Sequence, residues 1–231
     1  HSMGGVVVRV ALASDRGRIA RAVQLGAPNS GSFAPVLAMR GVYPTVRKLA
    51  ALDRRHDAEE LARIVLRTLP SLHELLPDAD LADGANLFDS SEWPDDALRP
   101  DPDLLADAAS ARRRWPASDP RCLHVVGVRQ ETVVLAERRG RQFRFHYSDD
   151  GDGTVPRVLA VMPESKTWFA AETHGGLPNN GRVISAVVDL LREGTTERLP
   201  AAHRAGTRKV RTVAESTLRR VAPHKVRWQD L

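Results

Sequence analysis

Apolar residues recur along this chain in short runs that change between helical and strand spacing. The run from residue 6 to residue 12 predicts a helix over residues 2–14, with its valines facing a sheet. Residues 18–25, 123–128 and 166–171 predict short buried strands, the last of them the final strand of the sheet. Helices that alternate with apolar strands indicate an α/β fold with a mostly parallel sheet.

Two later segments have clearer end signals. Residues 132–136 and 142–147 alternate apolar and polar side chains around the basic stretch 138–141, which predicts a β-hairpin with a basic tip. Residues 180–191 carry apolar side chains at helical spacing, with Asn180 as the N-cap, and are predicted to form the last helix.

The segment 33–118 interrupts this alternation and is predicted to be an inserted helical cap. Residues 57–69 predict an amphipathic helix that Pro70 ends, with one apolar face formed by Leu61, Ile64, Val65 and Leu69. Ser71 and Glu74 have the spacing of a capping box that opens another short helix. The acidic stretch 71–111 is expected to be solvated. Three aromatic side chains between residues 77 and 120 are expected to anchor a long surface loop rather than contact a substrate: Phe88, Trp93 and Trp115.

This pattern divides the chain into four parts. Residues 1–32 and 119–194 are predicted to form the α/β core, residues 33–118 the cap, and residues 195–231 a basic tail. The 34 Lys and Arg against 29 Asp and Glu give a formal net charge of +5. Residues 201–231 hold eight basic residues against two acids, a net of +6, so the rest of the chain carries a net of −1. The tail is either a solvated extension or a contact for an anionic surface.

Composition narrows the function classes. Cys122 is the only cysteine, so a disulfide within this chain and a thiolate zinc site are excluded. No apolar run reaches the length of a membrane span and no signal peptide is present, so we expect a soluble protein, with the cytoplasm as the favoured compartment. No motif for a nucleotide, a metal or a redox cofactor is found, and no specific nucleic-acid partner is predicted.

The first residues of the chain carry the strongest chemical signal. Ser2-Met3-Gly4 is the right-hand part of a G-x-S-x-G nucleophile elbow, in which a sharp turn into a helix exposes a serine hydroxyl. Ser2 is therefore the candidate nucleophile. Gly4 is expected to let neighbouring backbone approach the turn, and Gly4 and Gly5 are expected to allow close packing of the helix on a strand. The upstream glycine is missing, and the alternative interpretation is that the first three residues are a vector-derived scar.

Two loops just past predicted strands supply the partners that a serine needs. Asp152 follows the hairpin and His174 follows the last predicted strand, so the chain order is Ser, Asp, His. His174 would take the proton of Ser2, and Asp152 would fix its tautomer and stabilise the imidazolium. Asp149 and Asp150 compete for the acid role, with Asp150 as second choice, and His174 has the alternative of being an ordinary surface histidine. A calcium loop is rejected.

Five motifs in order resemble those of the lecithin:cholesterol acyltransferase-like branch of the α/β-hydrolase lipases. They are Ser2-Met3-Gly4-Gly5, residues 25–32 (LGAPNSGS), residues 70–77 (PSLHELLP), residues 151–156 (GDGTVP) and His174-Gly175, in register from residue 1 to about 193.

This resemblance implies an α/β-hydrolase fold and a site of known design. Ser2, Asp152 and His174 would be catalytic, and the backbone N–H of Met3 would be one oxyanion-hole donor. The second donor and the first strands would come from an upstream part of the same fold, which this chain does not contain. The expected function is hydrolysis of carboxylic esters, with lipid-like substrates. The alternatives are an O-acyltransferase with the same triad and a non-catalytic module that binds an anionic partner through the tail.

Overall fold

The computed structural model describes residues 1–15, 17–53, 55–81, 84–116, 118–203 and 210–221. The α-helices are α1 (Met3–Ser14), α2 (Ala34–Met39), α3 (Pro44–Leu52), α4 (Ala58–Ile64), α5 (Pro70–Glu74), α6 (Pro102–Arg113), α7 (Arg157–Ala160), α8 (Gly181–Glu193) and α9 (Glu215–Arg220). The strands are β1 (Ala22–Leu25), β2 (Cys122–Gly127), β3 (Thr132–Arg139), β4 (Gln142–Ser148), β5 (Thr167–Ala170) and β6 (Arg211–Ala214). The protein is therefore a mixed α/β structure, as predicted.

A parallel sheet holds β1, β2 and β5 in that order, so β2 is the central strand. Val125 of β2 lies opposite Leu25 on one side and opposite Trp168 on the other. Every residue of β2 is buried, as expected for a strand covered on both faces. α8 packs on one face through Val183 and Leu190. Because the strands are parallel, their carboxyl ends meet at one edge of the sheet.

The first strand is shorter than predicted. Residues 18–21 are exposed and precede β1 rather than extending it. The carboxylate of Asp15 accepts hydrogen bonds from the backbone N–H groups of Gly17, Arg18 and Ile19. This turn after α1 satisfies the backbone locally, so that the chain joins the sheet only at Ala22.

A second sheet is antiparallel and contains an unpredicted strand. The predicted hairpin is confirmed as β3 and β4, with Gly140 in the turn at φ 61°. β6 pairs with the outer edge of β4, and Val213 lies opposite Phe145. The prediction that residues 166–171 form the last strand and that the chain beyond residue 194 is only a tail was therefore wrong. A four-residue strand with one buried valine leaves little periodic signal among charged neighbours.

The tail also contributes a helix that is fixed to the protein by a buried carboxylate. α9 follows β6, so the correctly capped α8 is not the last helix. Glu215 is 1% exposed; its Oε1 accepts from Arg40 Nε at 3.0 Å and its Oε2 from Phe143 N at 2.9 Å. Residues 204–209 and 222–231 of the predicted tail lie outside the described residues.

The predicted helix over residues 57–69 is broken. α4 ends at Ile64, a 3₁₀ turn occupies Leu66–Thr68, and α5 begins at Pro70. Pro70 occupies the first turn of α5, where proline is favoured, so Leu69 is the N-cap and the predicted capping box at Ser71 does not form. The box forms instead one helix earlier, between Asp57 and Glu60.

The predicted apolar face of that helix was wrong as well. Its members Ile64, Val65 and Leu69 are exposed, and the buried residue of α4 is Ala62. Val65 and Leu69 follow the end of α4 at Ile64, so they do not continue the face of that helix.

Buried side chains among the described residues of the segment 33–118 pack on the antiparallel sheet. Trp93 is fully buried, its ring stands edge-on to Phe143 at 5.6 Å, and its Nε1–H donates to Leu87 O. The expectation of a solvated acidic stretch was therefore wrong for this part, whereas the anchoring role of Trp93 is confirmed. Asp96 accepts hydrogen bonds from Nη1 and Nη2 of the buried Arg40. Because Arg40 follows α2 and also bonds to Glu215 of α9, these contacts join the acidic stretch to both helices.

Candidate active site

Ser2 lies in the turn that leads directly into α1. Its backbone has φ 54° and ψ −135°, an unusual conformation for a residue other than glycine. The backbone N–H of Ser2 donates to the carbonyl of Leu25 at 2.9 Å, which places the turn at the carboxyl end of β1. Strained residues of this kind cluster at functional sites, where the surrounding structure holds them.

Of the two glycines predicted to allow close packing of α1 on a strand, Gly5 makes the approach and Gly4 does not. A Cβ atom on Gly5 would lie 2.5 Å from the Cβ of Ala27, whereas one on Gly4 would meet nothing within 4 Å. The backbone carbonyl of Gly5 accepts a hydrogen bond from Gln24 of β1. The helix therefore sits against β1 through its third residue, and the role assigned to Gly4 was wrong.

Asp152 is buried and fixed by backbone donors in the loop after β4. Its Oδ1 accepts the N–H groups of Thr154 at 2.9 Å and Val155 at 2.7 Å. Gly153 provides the left-handed backbone of this turn, at φ 94°, and its N–H donates to Thr132 Oγ1. The side chain is 1% exposed, so its second oxygen, Oδ2, has one fixed direction.

His174 lies in the loop after β5 and meets both of the other residues. Its Nδ1 is 2.8 Å from Asp152 Oδ2, and its Nε2 is 2.9 Å from Ser2 Oγ. A carboxylate only accepts, so Nδ1 carries the proton and the Nε2 lone pair faces the serine hydroxyl. Its backbone N–H also donates to Asp152 O at 2.7 Å. The structure thus brings together the three side chains that the sequence singled out.

The competing acids are engaged elsewhere. Asp150 accepts two hydrogen bonds from Arg157, at 2.7 and 3.0 Å, and Asp149 is exposed. The hydrogen bond to His174 is made by Asp152, the preferred residue.

Gly26 and Gly127 leave the space that the side chains of Asp152 and His174 occupy. A Cβ on Gly26, whose φ is 55°, would lie 2.9 Å from Asp152 Oδ2 and 3.2 Å from His174 Nδ1. A Cβ on Gly127, the last residue of β2, would lie 2.5 Å from the Cβ of Asp152. Gly26 was singled out from the sequence only within the motif of residues 25–32, and Gly127 was given no role. The position of Gly26 directly after an apolar strand was the available signal.

Met3, the predicted oxyanion-hole donor, lies at the start of α1 directly after Ser2. It is the first residue of α1, and the first N–H groups of a helix have no intrahelical acceptor. The helix dipole adds partial positive charge at this end, next to Ser2 Oγ. The backbone N–H of Met3 therefore has no acceptor within its own helix.

A buried arginine within α1 was not predicted. Arg9 is 4% exposed, donates to Met162 Sδ at 2.8 Å and lies 5.3 Å from the Trp115 ring. Burial lowers the pKa of Arg9 to about 10, with a further contribution from the nearby Arg112 charge. Burial likewise lowers the pKa of His124, on β2, to about 4, and the Arg9 charge adds to that shift. His124 is therefore neutral at pH 7.

Other kinds of site find no support in the described part of the chain. Within those residues, no three His, Cys, Asp or Glu side chains are grouped so that they could hold a metal ion. No helix among them has the length and apolar character needed to cross a membrane.

Comparison with known proteins does not extend this picture. No family model matches the chain, and no curated protein matches it. The function of this protein must therefore be argued from the geometry of its own residues.

Proposed function

We propose that this chain is the C-terminal part of an α/β-hydrolase of the lecithin:cholesterol acyltransferase-like lipase branch, and that it hydrolyses carboxylic esters of lipid-like substrates. The observation that carries the proposal is the pair of contacts of His174, 2.9 Å to Ser2 Oγ and 2.8 Å to Asp152 Oδ2. An accepting Nε2 beside a serine hydroxyl, with a carboxylate behind Nδ1, is the arrangement that activates a serine.

The reaction follows from these contacts. His174 Nε2 takes the proton of Ser2 Oγ while the oxygen attacks the ester carbonyl, and Asp152 stabilises the imidazolium that forms. The carbonyl oxygen becomes an oxyanion, which the Met3 N–H stabilises. The imidazolium then gives its proton to the leaving alcohol. Water repeats the sequence on the acyl-enzyme and releases the carboxylic acid.

We also propose that residues upstream of the elbow complete the fold. β1 is an edge strand of the parallel sheet in the described part of the chain, and the Ser2 N–H already bonds to the last carbonyl of that strand. α1 exposes an apolar face, with Met3 48%, Val7 60% and Val10 44% exposed. This face borders a groove of about 470 Å³ that Leu75 and Trp115 also line. A strand added beside β1 and an element on this face would cover both surfaces.

An ester assay tests the proposed function. The chain carrying its natural upstream residues is incubated with a long-chain p-nitrophenyl ester, with and without an alcohol acceptor, and compared with its Ser2→Ala variant. Free fatty acid that depends on Ser2 supports the hydrolase. A new ester as the main product would make the protein an acyltransferase, and equal turnover by the Ser2→Ala variant would contradict both.

A further inference from the structure

The residue before the proposed nucleophile contacts the proposed base directly. The ring of His1 lies 4.7 Å from the ring of His174, tilted by 44°. His1 Nε2 is 2.9 Å from the backbone carbonyl oxygen of His174. A carbonyl oxygen only accepts, so the His1 ring is in the tautomer that carries its proton on Nε2.

This contact adds to a set that fixes His174 from several directions. The backbone N–H of His174 donates to Asp152 O, and its two ring nitrogens contact Asp152 and Ser2. Gly26 lies close to Nδ1, where even a methyl group would come within 3.2 Å. The His1 ring packs against the same imidazole, and its N–H holds the backbone carbonyl. Main chain and ring of His174 are thus both held.

We infer that His1 is a positioning residue for His174, which deepens the proposed function and rests on it. Because His1 and Ser2 are adjacent in the chain, the hydrogen bond ties the base to the segment that carries the nucleophile. The hydrogen bond of His1 therefore helps to fix the distance between Ser2 Oγ and His174 Nε2. Displacements of about 1 Å between reacting groups can reduce rates by about 10²-fold, so such a tie affects the chemical step.

The exposure of His1 distinguishes a positioning role from a role in folding. His1 is exposed and outside the buried core, so its replacement removes little apolar burial. The loss should fall on the rate of acylation rather than on stability. A glutamine can still present an N–H to the carbonyl, whereas a leucine can only cover the ring.

The test uses a fluorophosphonate probe on the chain with its natural upstream residues. The maximal rate of covalent labelling and the probe concentration at half-maximal rate are measured for wild type, His1→Leu, His1→Gln and Ser2→Ala. His56→Leu is the matched control, because His56 is a partly buried histidine that bonds to Asp53 away from the site. Melting temperatures are measured in parallel.

We expect His1→Leu to lower the maximal labelling rate about tenfold, the effect of losing one hydrogen bond, without changing half-saturation or melting temperature. His1→Gln should recover the rate to within about threefold, and His56→Leu should label as wild type does. Wild-type rates in His1→Leu, or equal losses in His1→Leu and His1→Gln, would overturn the inference while leaving the proposed function intact. Absence of labelling in wild type would instead overturn the proposed function and the inference with it.

Discussion

At the scale of single residues, the proposed activation of Ser2 depends on the two carboxylate oxygens of Asp152. Oδ1 is held by the N–H groups of Thr154 and Val155, so Oδ2 faces His174. An asparagine here would keep its oxygen toward those donors and turn its NH₂ group toward His174 Nδ1. The imidazole would then have to carry its proton on Nε2 and could not accept the proton of Ser2.

We therefore expect Asp152→Asn to lower the rate of probe labelling by about 10⁴-fold with little loss of stability. Asp150→Asn is the control, because Asp150 bonds to Arg157 rather than to His174. Comparable losses in the two variants would show that the acid has been assigned to the wrong residue.

Gly26 permits a second residue-scale prediction. Gly26→Ala should lower labelling by about 10²-fold, because the new methyl group would displace the Asp152 carboxylate and the His174 ring. Gly140→Ala is a matched control at φ 61°, since a Cβ there meets nothing within 4 Å. Both variants should lose about 1–2 kcal/mol from backbone strain. Equal labelling of the two would contradict the clearance role of Gly26.

The residues of the site could be predicted from sequence, but their surroundings could not. Ser2 stands out because it begins a nucleophile-elbow motif, and Asp152 and His174 stand out because they follow predicted strands in the right chain order. The close packing at Gly26 and Gly127 arises between segments far apart in the chain, and no local pattern reports it.

At the scale of elements, segments with strong periodicity or clear end signals were predictable, and segments whose conformation depends on tertiary packing were not. β2 and α8 have strong periodicity or capping signals, and both form where expected. β6 depends on pairing with β4. The helix predicted over residues 57–69 ends at Ile64, before a 3₁₀ turn and the new helix that begins at Pro70. Tertiary packing determines the conformation of such short or interrupted segments, and their sequence periodicity is too weak to predict it.

β2 also carries a pH-dependent contribution to stability. The pKa of His124 is about 4 in the folded protein, below the ordinary value near 6.5, so the unfolded chain binds more protons between these values. The free energy of unfolding should therefore fall as the pH is lowered from about 6.5 to about 4, by up to about 3 kcal/mol from this group. His124→Gln should remove that part, which urea unfolding at several pH values measures. Identical pH dependence in both proteins would contradict it.

A substitution on the exposed face of α1 tests whether upstream elements cover that face. In the chain with its natural upstream residues, Val7→Asp should lower the free energy of unfolding by about 2–3 kcal/mol, because a carboxylate would be buried. Ile184→Asp on α8, where the isoleucine is 48% exposed, should change it by less than about 0.5 kcal/mol. A Val7→Asp effect as small as that of Ile184→Asp would show that nothing covers α1.

At the scale of the whole molecule, the site joins parts that are distant in sequence. Ser2 starts the first helix, Asp152 follows the antiparallel hairpin, and His174 follows the last parallel strand. All three lie at the carboxyl edge of the parallel sheet, where α/β proteins place ligands.

The basic tail is partly built into this structure. Arg211 pairs with Glu131, and Arg219 pairs with Glu215 and Glu59. Deleting residues 201–231 would remove the buried Glu215 and leave Arg40 with less compensation, so a truncation would test stability together with anion binding. The overall charge of the tail suggested neither the pairs nor the strand, because charge counts carry no information on partners.

The central claim is that Ser2 is a nucleophile activated by His174, and fluorophosphonate labelling tests it most directly. The chain with its natural upstream residues is labelled beside its Ser2→Ala variant, and the modified residue is located by peptide mass spectrometry. The account predicts labelling at Ser2 that disappears in Ser2→Ala. A well-folded protein that does not label, or that labels at another serine, would contradict it.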